Sequence, residues 1–217
     1  MNYGKAVYIA DKFVEAIEPF CETRENGLVY AEIAGSVRRH VAEVGDIEVV
    51  CIPKMETYEV VDGLFTKFET AHHRKFVEIV DSMNILKGDA KNGKYMRRYS
   101  GKAQIQFDIF CPTKENWGNM FAVRTGSKDF SSKVLANGWV KVGYHSSDGF
   151  LYLEENMDYN EKSKKWIPKI ILDENNEPKL DKNKKPIMVD PDIYLYEEID
   201  VFNLIGMDYV EPEKRNL

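Results

Sequence analysis

The chain has 217 residues, 43% hydrophobic and 12% aromatic, with a formal net charge of −6 and three cysteines. That is enough to bury a real core and form one or two compact units. No run reaches transmembrane length and the N-terminus has no signal-peptide apolar stretch, so the expected location is the cytoplasm or another reducing intracellular compartment, with no membrane partner.

Cys21, Cys51 and Cys111 have no Cys-x-x-Cys spacing and cannot all pair, which argues against both a zinc site and a disulfide framework. The acidic balance is awkward for a strong nonspecific nucleic-acid binder, which neutralises several phosphates with basic side chains.

In chain order, Ala6, Ile9, Phe13, Ile17 and Phe20 recur at three and four residues and predict an amphipathic helix over 3–20. Residues 29–34 read as a strand feeding the loop Gly35-Ser36-Val37-Arg38-Arg39. Gly35 there lets the backbone approach a phosphate without a Cβ in the way, Ser36 offers a hydroxyl and an amide, and Arg39 offers a forked guanidinium. A plain surface turn is the competing reading of Arg38 and Arg39. In Gly45-Asp46-Ile47-Glu48-Val49-Val50-Cys51-Ile52, strand alternation puts Asp46 and Glu48 on one face and Ile47, Val49 and Cys51 in a core.

A second helix is predicted across 70–84, with His72 and His73 in surface or capping roles. Lys87, Lys91, Lys94, Arg97, Arg98 and Lys102 then cluster against a single Asp89. This is either a substrate-steering stretch or a solvated hairpin. In Gln104-Ile105-Gln106-Phe107-Asp108-Ile109-Phe110 the same alternation turns Asp108 away from Ile105, Phe107 and Ile109. Cys51 and Cys111 read as packing residues. A short helix is expected after Ser127, strands around 138–152, and a last helix ending at Gly206. Between them, Leu172-Asp173-Glu174-Asn175-Asn176-Glu177-Pro178 is echoed by Leu180-Asp181-Lys182-Asn183-Lys184-Lys185-Pro186. Residues 154–196 read as an exposed hairpin-like insertion with successive turns, serving as a flexible surface segment or as a substrate or partner arm. The turns lack the twelve-residue calcium loop.

Three carboxylates converging without a cation would repel one another and resist ionising. A pair of divalent cations removes that objection. Oxygen-only ligands suit Mg²⁺ or Mn²⁺, and two such ions can clamp the attacking and leaving oxygens of a phosphoryl displacement. Ser36 as an acylation nucleophile fails for want of a Gly-x-Ser-x-Gly elbow and a partnered histidine.

Gly-Ser-x-Arg-Arg at 35–39 followed by Gly45-Asp46-Ile47-Glu48 resembles the nucleotidyltransferase superfamily, with a spacing similar to that of the family X DNA polymerases, the polymerase beta group. Thr125-Gly126-Ser127 and the blocks at 197–206 and 209–215 extend the likeness. The resemblance implies an α+β fold: a catalytic palm over 1–112, a mixed sheet with helices on one face, and a small α/β thumb over 113–217 carrying the insertion. It implies that Asp46, Glu48 and Asp108 are catalytic and hold two Mg²⁺ or Mn²⁺ ions. Gly35, Ser36, Arg39, Gly45, Arg124, Thr125, Gly126 and Ser127 would bind substrate. Asp108 would also be placed to take the proton of the attacking hydroxyl.

The implied activity is that of a monomeric, minimal DNA polymerase acting in repair or replication. It would use nucleoside triphosphates to extend a primer 3′-hydroxyl on primer-template or gapped DNA. Three departures bear on this. Only 34 residues precede Gly35, so the lyase domain of larger members is expected to be absent, as in small viral relatives. Glu48 replaces the usual Asp. Val123-Arg124 stands where an aromatic pair lines the sugar, which leaves the choice of ribose or deoxyribose open, RNA included. A template-independent terminal transferase acting on RNA, DNA ends or protein is the catalytic alternative. A nucleic-acid-binding module with a relict fold is the non-enzymatic one.

Overall fold

The N-terminal apolar repeat forms α1 (Tyr3–Ile17) in the computed structural model, which describes residues 1–62 and 65–217. Asn2 caps it, its side chain accepting from the Lys5 amide at 3.0 Å. The predicted helix runs three residues too far: Pro19 has no amide proton to continue the ladder, and Glu18–Phe20 tightens into a 3₁₀ turn. The chain continues through β1 (Ala31–Ile33), the single helical turn α2 (Gly35–Arg38) and β2 (Asp46–Cys51). The stretch expected as a loop at 35–39 is thus mostly helical.

Next comes a hairpin of β3 (Met55–Asp62) and β4 (Phe65–His72), then α3 (Arg74–Asp81), β5 (Asn84–Lys87), β6 (Tyr95–Ser100) and β7 (Ile105–Phe110). The helix expected over 70–84 therefore starts later. Its first residues, up to His72, pair in register with β3, as in Thr57↔Thr70. Helical burial begins only with Phe76 and Val80, one turn apart. His73 caps this helix, accepting from the Lys75 amide, while His72 is buried and bonds the Ala90 carbonyl at 2.8 Å. His72 is thus neither a surface nor a capping residue.

Five strands form one mixed sheet in the order β1-β2-β7-β6-β5, with β2 and β7 parallel and the other pairings antiparallel. Its core face carries Ile47, Val49, Cys51, Phe107 and Ile109. Against it pack Ala6, Ala10, Phe13 and Ile17 of α1, and Phe76 and Val80 of α3. Both helices therefore cover one face. Cys21, Cys51 and Cys111 are buried thiols, with Cys51 and Cys111 Sγ atoms 3.9 Å apart. The chain is thus α+β with a mixed sheet.

Contacts divide it into two compact units. One comprises Met1–Lys114, Arg124–Ser127 and Val210–Leu217; the other comprises Glu115–Val123 and Lys128–Tyr209. The first therefore takes in two segments, 124–127 and 210–217, that lie beyond residue 112.

The second unit takes in most of α4 (Trp117–Thr125), a π-helical stretch at Phe130–Ala136, and α5 (Asn137–Lys141). Residues 138–141, expected as strand, continue the helix because Leu135 and Trp139 are buried one turn apart. Only past Gly143, at φ +87°, do β8 (Tyr144–Ser147) and β9 (Phe150–Leu153) pair. A further hairpin joins β10 (Met157–Asn160) and β11 (Lys165–Pro168).

The echoed segments form two copies of one turn. Asp173 Oδ1 accepts from the amides of Asn175 and Glu177, and Asp181 Oδ1 from those of Asn183 and Lys185, at 2.8–2.9 Å. The last helix, α6 (Glu198–Leu204), starts on a Glu197–Asp200 capping box, and Gly206 follows it at φ +68°. No helix among the described residues is long and apolar enough to cross a membrane.

Candidate active site

The sheet face opposite α1 and α3 carries the acids. Parallel pairing sets Glu48 beside Asp108 and Asp46 beside Gln106, so the alternation that buries Ile47 and Phe107 turns three carboxylates of two neighbouring strands to the same side. Asp108 is 5% exposed; Asp46 and Glu48 are half-buried. Burial, and then the negative charge of Asp46, pushes the Glu48 carboxyl from an ordinary 4.5 up to about 7, with Arg124 and Arg39 pulling the other way. Asp46 is raised for the same reasons, burial first and Asp108 second.

Asp108 is clasped. Arg97 donates from Nε to Oδ1 at 2.8 Å and from Nη2 to Oδ2 at 2.9 Å, a bidentate fork across the β6–β7 register pair. Tyr95 Oη donates to Oδ1 at 3.1 Å and Gln106 Nε2 reaches the same oxygen at 3.3 Å. The pairing raises the Arg97 pKa, while burial and then Asp108 raise that of Tyr95. Among the described residues, no group of three or more His, Cys, Asp or Glu side chains is set as a ready metal cage.

The 35–39 turn lies directly against these acids. Gly35 has φ +62°, and a Cβ built there would collide with Glu48 Oε2 and sit 2.9 Å from its Cδ. Only glycine combines that backbone with that approach. Ser36 Oγ is buried and makes no hydrogen bond, a costly state for a hydroxyl unless something supplies a partner. Arg39 sits close enough to feel Glu48 and Asp46, though burial lowers its pKa.

Two of its donors are engaged, Nη1 on the Thr125 carbonyl at 2.8 Å and Nε on Asn216 Oδ1 at 2.7 Å. Arg38 Nη1 donates to Thr125 Oγ1 at 2.6 Å. The two arginines therefore tie Thr125 to the turn. Ser127 is held in turn by the C-terminal segment: its amide donates to the Arg215 carbonyl at 3.1 Å and its Oγ accepts from the Leu217 amide at 3.3 Å. Arg124 stacks its guanidinium 4.0 Å from the Phe110 ring centroid, with Nε buried and unbonded.

Of the residues singled out from sequence, Asp46, Glu48, Asp108, Gly35 and Arg39 gather in this one region, and Arg124 influences the Glu48 carboxyl from beside Phe110. Thr125 arrives through the arginines. Gly126 lies between Thr125 and Ser127 in the tied segment. Gly45 is exposed, with open space around a Cβ built on it.

The basic stretch also divides. Arg97 turns to the acid face, whereas Arg98 on the opposite face is fully buried, pairing with Asp81 at 2.8 Å and with the Lys87 carbonyl at 2.7 Å, and serves the fold. The clasping roles of Arg97, Tyr95 and Asn216 were not foreseen. Period-two alternation in Tyr95-Met96-Arg97-Arg98 does signal that Arg97 and Arg98 part company. No protein-family model matches the chain, and a search of curated proteins finds no match.

Proposed function

We propose that this face carries out metal-dependent nucleotidyl transfer, as a minimal family X-like DNA polymerase adding deoxynucleotides to a primer 3′-hydroxyl in short gaps. One observation carries the reading: Asp46, Glu48 and Asp108 lie side by side on parallel strands, with a glycine turn pressed against Glu48. Together with the Gly-Ser-x-Arg-Arg and Gly-Asp-x-Glu resemblance, this supports the nucleotidyltransferase palm as the architecture of the first unit.

The residues fit the cations. All three acids offer hard oxygen donors, two of them hold their protons too tightly, and a cation is what relieves that. Asp46, Glu48 and Asp108 would hold Mg²⁺ or Mn²⁺, which when bound would acidify the attacking hydroxyl and neutralise charge on the departing pyrophosphate.

The chain's own groups do the rest. The Gly35–Ser36 turn admits a phosphate close to the backbone, and Ser36 Oγ, unbonded and buried, is a donor for one of its oxygens. Arg39 holds the turn to Thr125 and adds positive charge beside the acids. Asp108 accepts the hydroxyl proton once Arg97 releases it. Acceleration would come from positioning and electrostatics.

The test is extension of a labelled primer alone, on a template, and across a one-nucleotide gap, with each nucleotide and each metal. Template-matched incorporation favouring the gap supports the polymerase. Extension of an unpaired primer by one favoured nucleotide, whatever the template, moves the assignment to terminal transfer. No extension under any condition sinks both.

A further inference from the structure

The second unit holds a pocket of about 460 Å³ between α5, β8 and β11, walled by Trp139, Tyr144, His145, Lys165 and Trp166. Four of its lining residues carry rings, set beside Ser146, Ser147 and Asp148. Trp166 stacks on His145 with centroids 3.9 Å apart at 18°, and Tyr159 leans on Trp166 at 5.5 Å. Trp139 is 6% exposed and its indole N–H is buried with no hydrogen-bond partner. An indole nitrogen donates only, so a ligand that reaches it satisfies it with an acceptor. Just before Trp166, Lys162, Lys164 and Lys165 are all exposed on the β10–β11 hairpin, with Lys164 paired to Glu161 at 3.1 Å.

We propose that this pocket binds an unpaired nucleobase. The ring extends the Trp166–His145 stack, a base acceptor takes the Trp139 N–H, and the adjoining phosphates meet the lysines. An aliphatic ligand would leave the indole donor unanswered, and a duplex offers no free ring face. Stacking platforms beside basic side chains are how single strands are held without sequence preference. The 154–196 segment thereby acquires a role as a strand-binding arm. The inference takes from the nucleotidyl-transfer reading only its choice of probe.

The test is fluorescence anisotropy with the full chain in EDTA, so that no transfer occurs. Its probes are a labelled oligo-dT of about eight nucleotides, the span of one such binding fold, and an abasic strand with the same number of phosphates. Trp166→Ala should weaken oligo-dT binding about 5- to 150-fold, the range found for loss of one base–aromatic stack, and leave the abasic strand unchanged. Trp166→Phe, which keeps a ring, should recover most of it. Trp139→Phe, which keeps the shape but loses the donor, should cost about 2- to 10-fold.

Free thymidine monophosphate competing in a Trp166-dependent way would identify single nucleotides as a source of the base; competition by oligo-dT alone would identify the strand. Equal affinity for oligo-dT and the abasic strand would overturn the proposal. So would parental affinity of both Trp166→Ala and Trp139→Phe with matched circular dichroism. Because no transfer is measured, failure here leaves the catalytic reading standing, and a catalytically silent chain leaves this one.

Discussion

Replacing Glu48 with Gln should stabilise the protein at neutral pH, by an amount the site's own electrostatics fixes. The Glu48 carboxyl titrates near 7 when folded, against an ordinary 4.5. Between those values the folded chain holds a proton that the unfolded chain has released. Stability therefore falls as pH rises through this window, by about 1.4 kcal/mol per pH unit, or about 3 kcal/mol in all. Asp46 is raised too and tilts the parent curve the same way, so the difference between parent and variant isolates Glu48.

Urea unfolding followed by circular dichroism from pH 4.5 to 8 reads it directly. The two proteins should match at the acid end and diverge to about 3 kcal/mol in favour of Glu48→Gln at pH 8. Magnesium should close the gap: at a hundred times its dissociation constant a ligand specific to the folded state adds about 2.7 kcal/mol to the parent, and less to a variant short of one donor. Parallel stability curves for parent and variant across the whole range would falsify the account of this acid cluster.

Asp46→Asn should move the midpoint of that pH dependence downward, since the Asp46 charge is the second cause of the Glu48 shift; an unmoved midpoint would mean burial alone sets it. Arg97→Ala should lower Tm in EDTA by leaving the buried Asp108 carboxylate with only Tyr95 and Gln106, and magnesium should restore more Tm to this variant than to the parent; equal gains would show that the clasp and the cation do not compete. Asp108→Asn should cut primer extension by more than about 100-fold, the upper end of what an outer-shell partner costs a metal site, with unfolding still cooperative; turnover like the parent's would remove Asp108 from the mechanism. Arg39→Ala should lower kcat/KM for the nucleoside triphosphate by about ten- to 150-fold, the loss of one charged hydrogen bond of about 1.5 to 3 kcal/mol; unchanged nucleotide titration with weakened duplex binding would reassign Arg39 to a nucleic-acid contact.

How far the site was legible follows from the range of the interactions. Period-two alternation is local, so the acid faces of β2 and β7 could be read residue by residue: once Ile47 and Phe107 go inward, Asp46, Glu48 and Asp108 go outward. That these faces meet depended on parallel pairing, which no local pattern encodes; the family resemblance supplied the convergence. The Arg97 clasp needed the β6–β7 register as well: alternation parts Arg97 from Arg98, but only the register sets Arg97 opposite Asp108. The misplaced helix at 70–84 and strand at 138–141 fail for a similar reason. Thr66 to Ala71 take strand geometry because β3 lies beside them, and Trp139 stays helical because Leu135 sets the phase one turn earlier. The tie between 124–127 and 210–217 spans some ninety residues and joins the Ser127 amide and hydroxyl to backbone groups of the C-terminal segment, a pairing no local pattern signals.

The two faces of one sheet follow opposite rules, and that contrast bears most on function. On the core side, every side chain of β2 and β7 is apolar and packed under α1 and α3. Across the same backbone, two carboxylates are held above their ordinary proton affinity, a third is clasped by an arginine fork with Tyr95 and Gln106, a glycine sits where any other residue would strike Glu48, and a serine hydroxyl goes unbonded. Carboxyls held above their ordinary proton affinity and a hydroxyl left unbonded cost stability, and small polar or apolar substitutions at those positions would relieve it. Local rules broken together on one patch mark a place shaped by something other than folding. A divalent cation with a phosphate would answer all four at once: the cation discharges the carboxylates, displaces the arginine fork and needs no room above Gly35, and the phosphate gives Ser36 its partner.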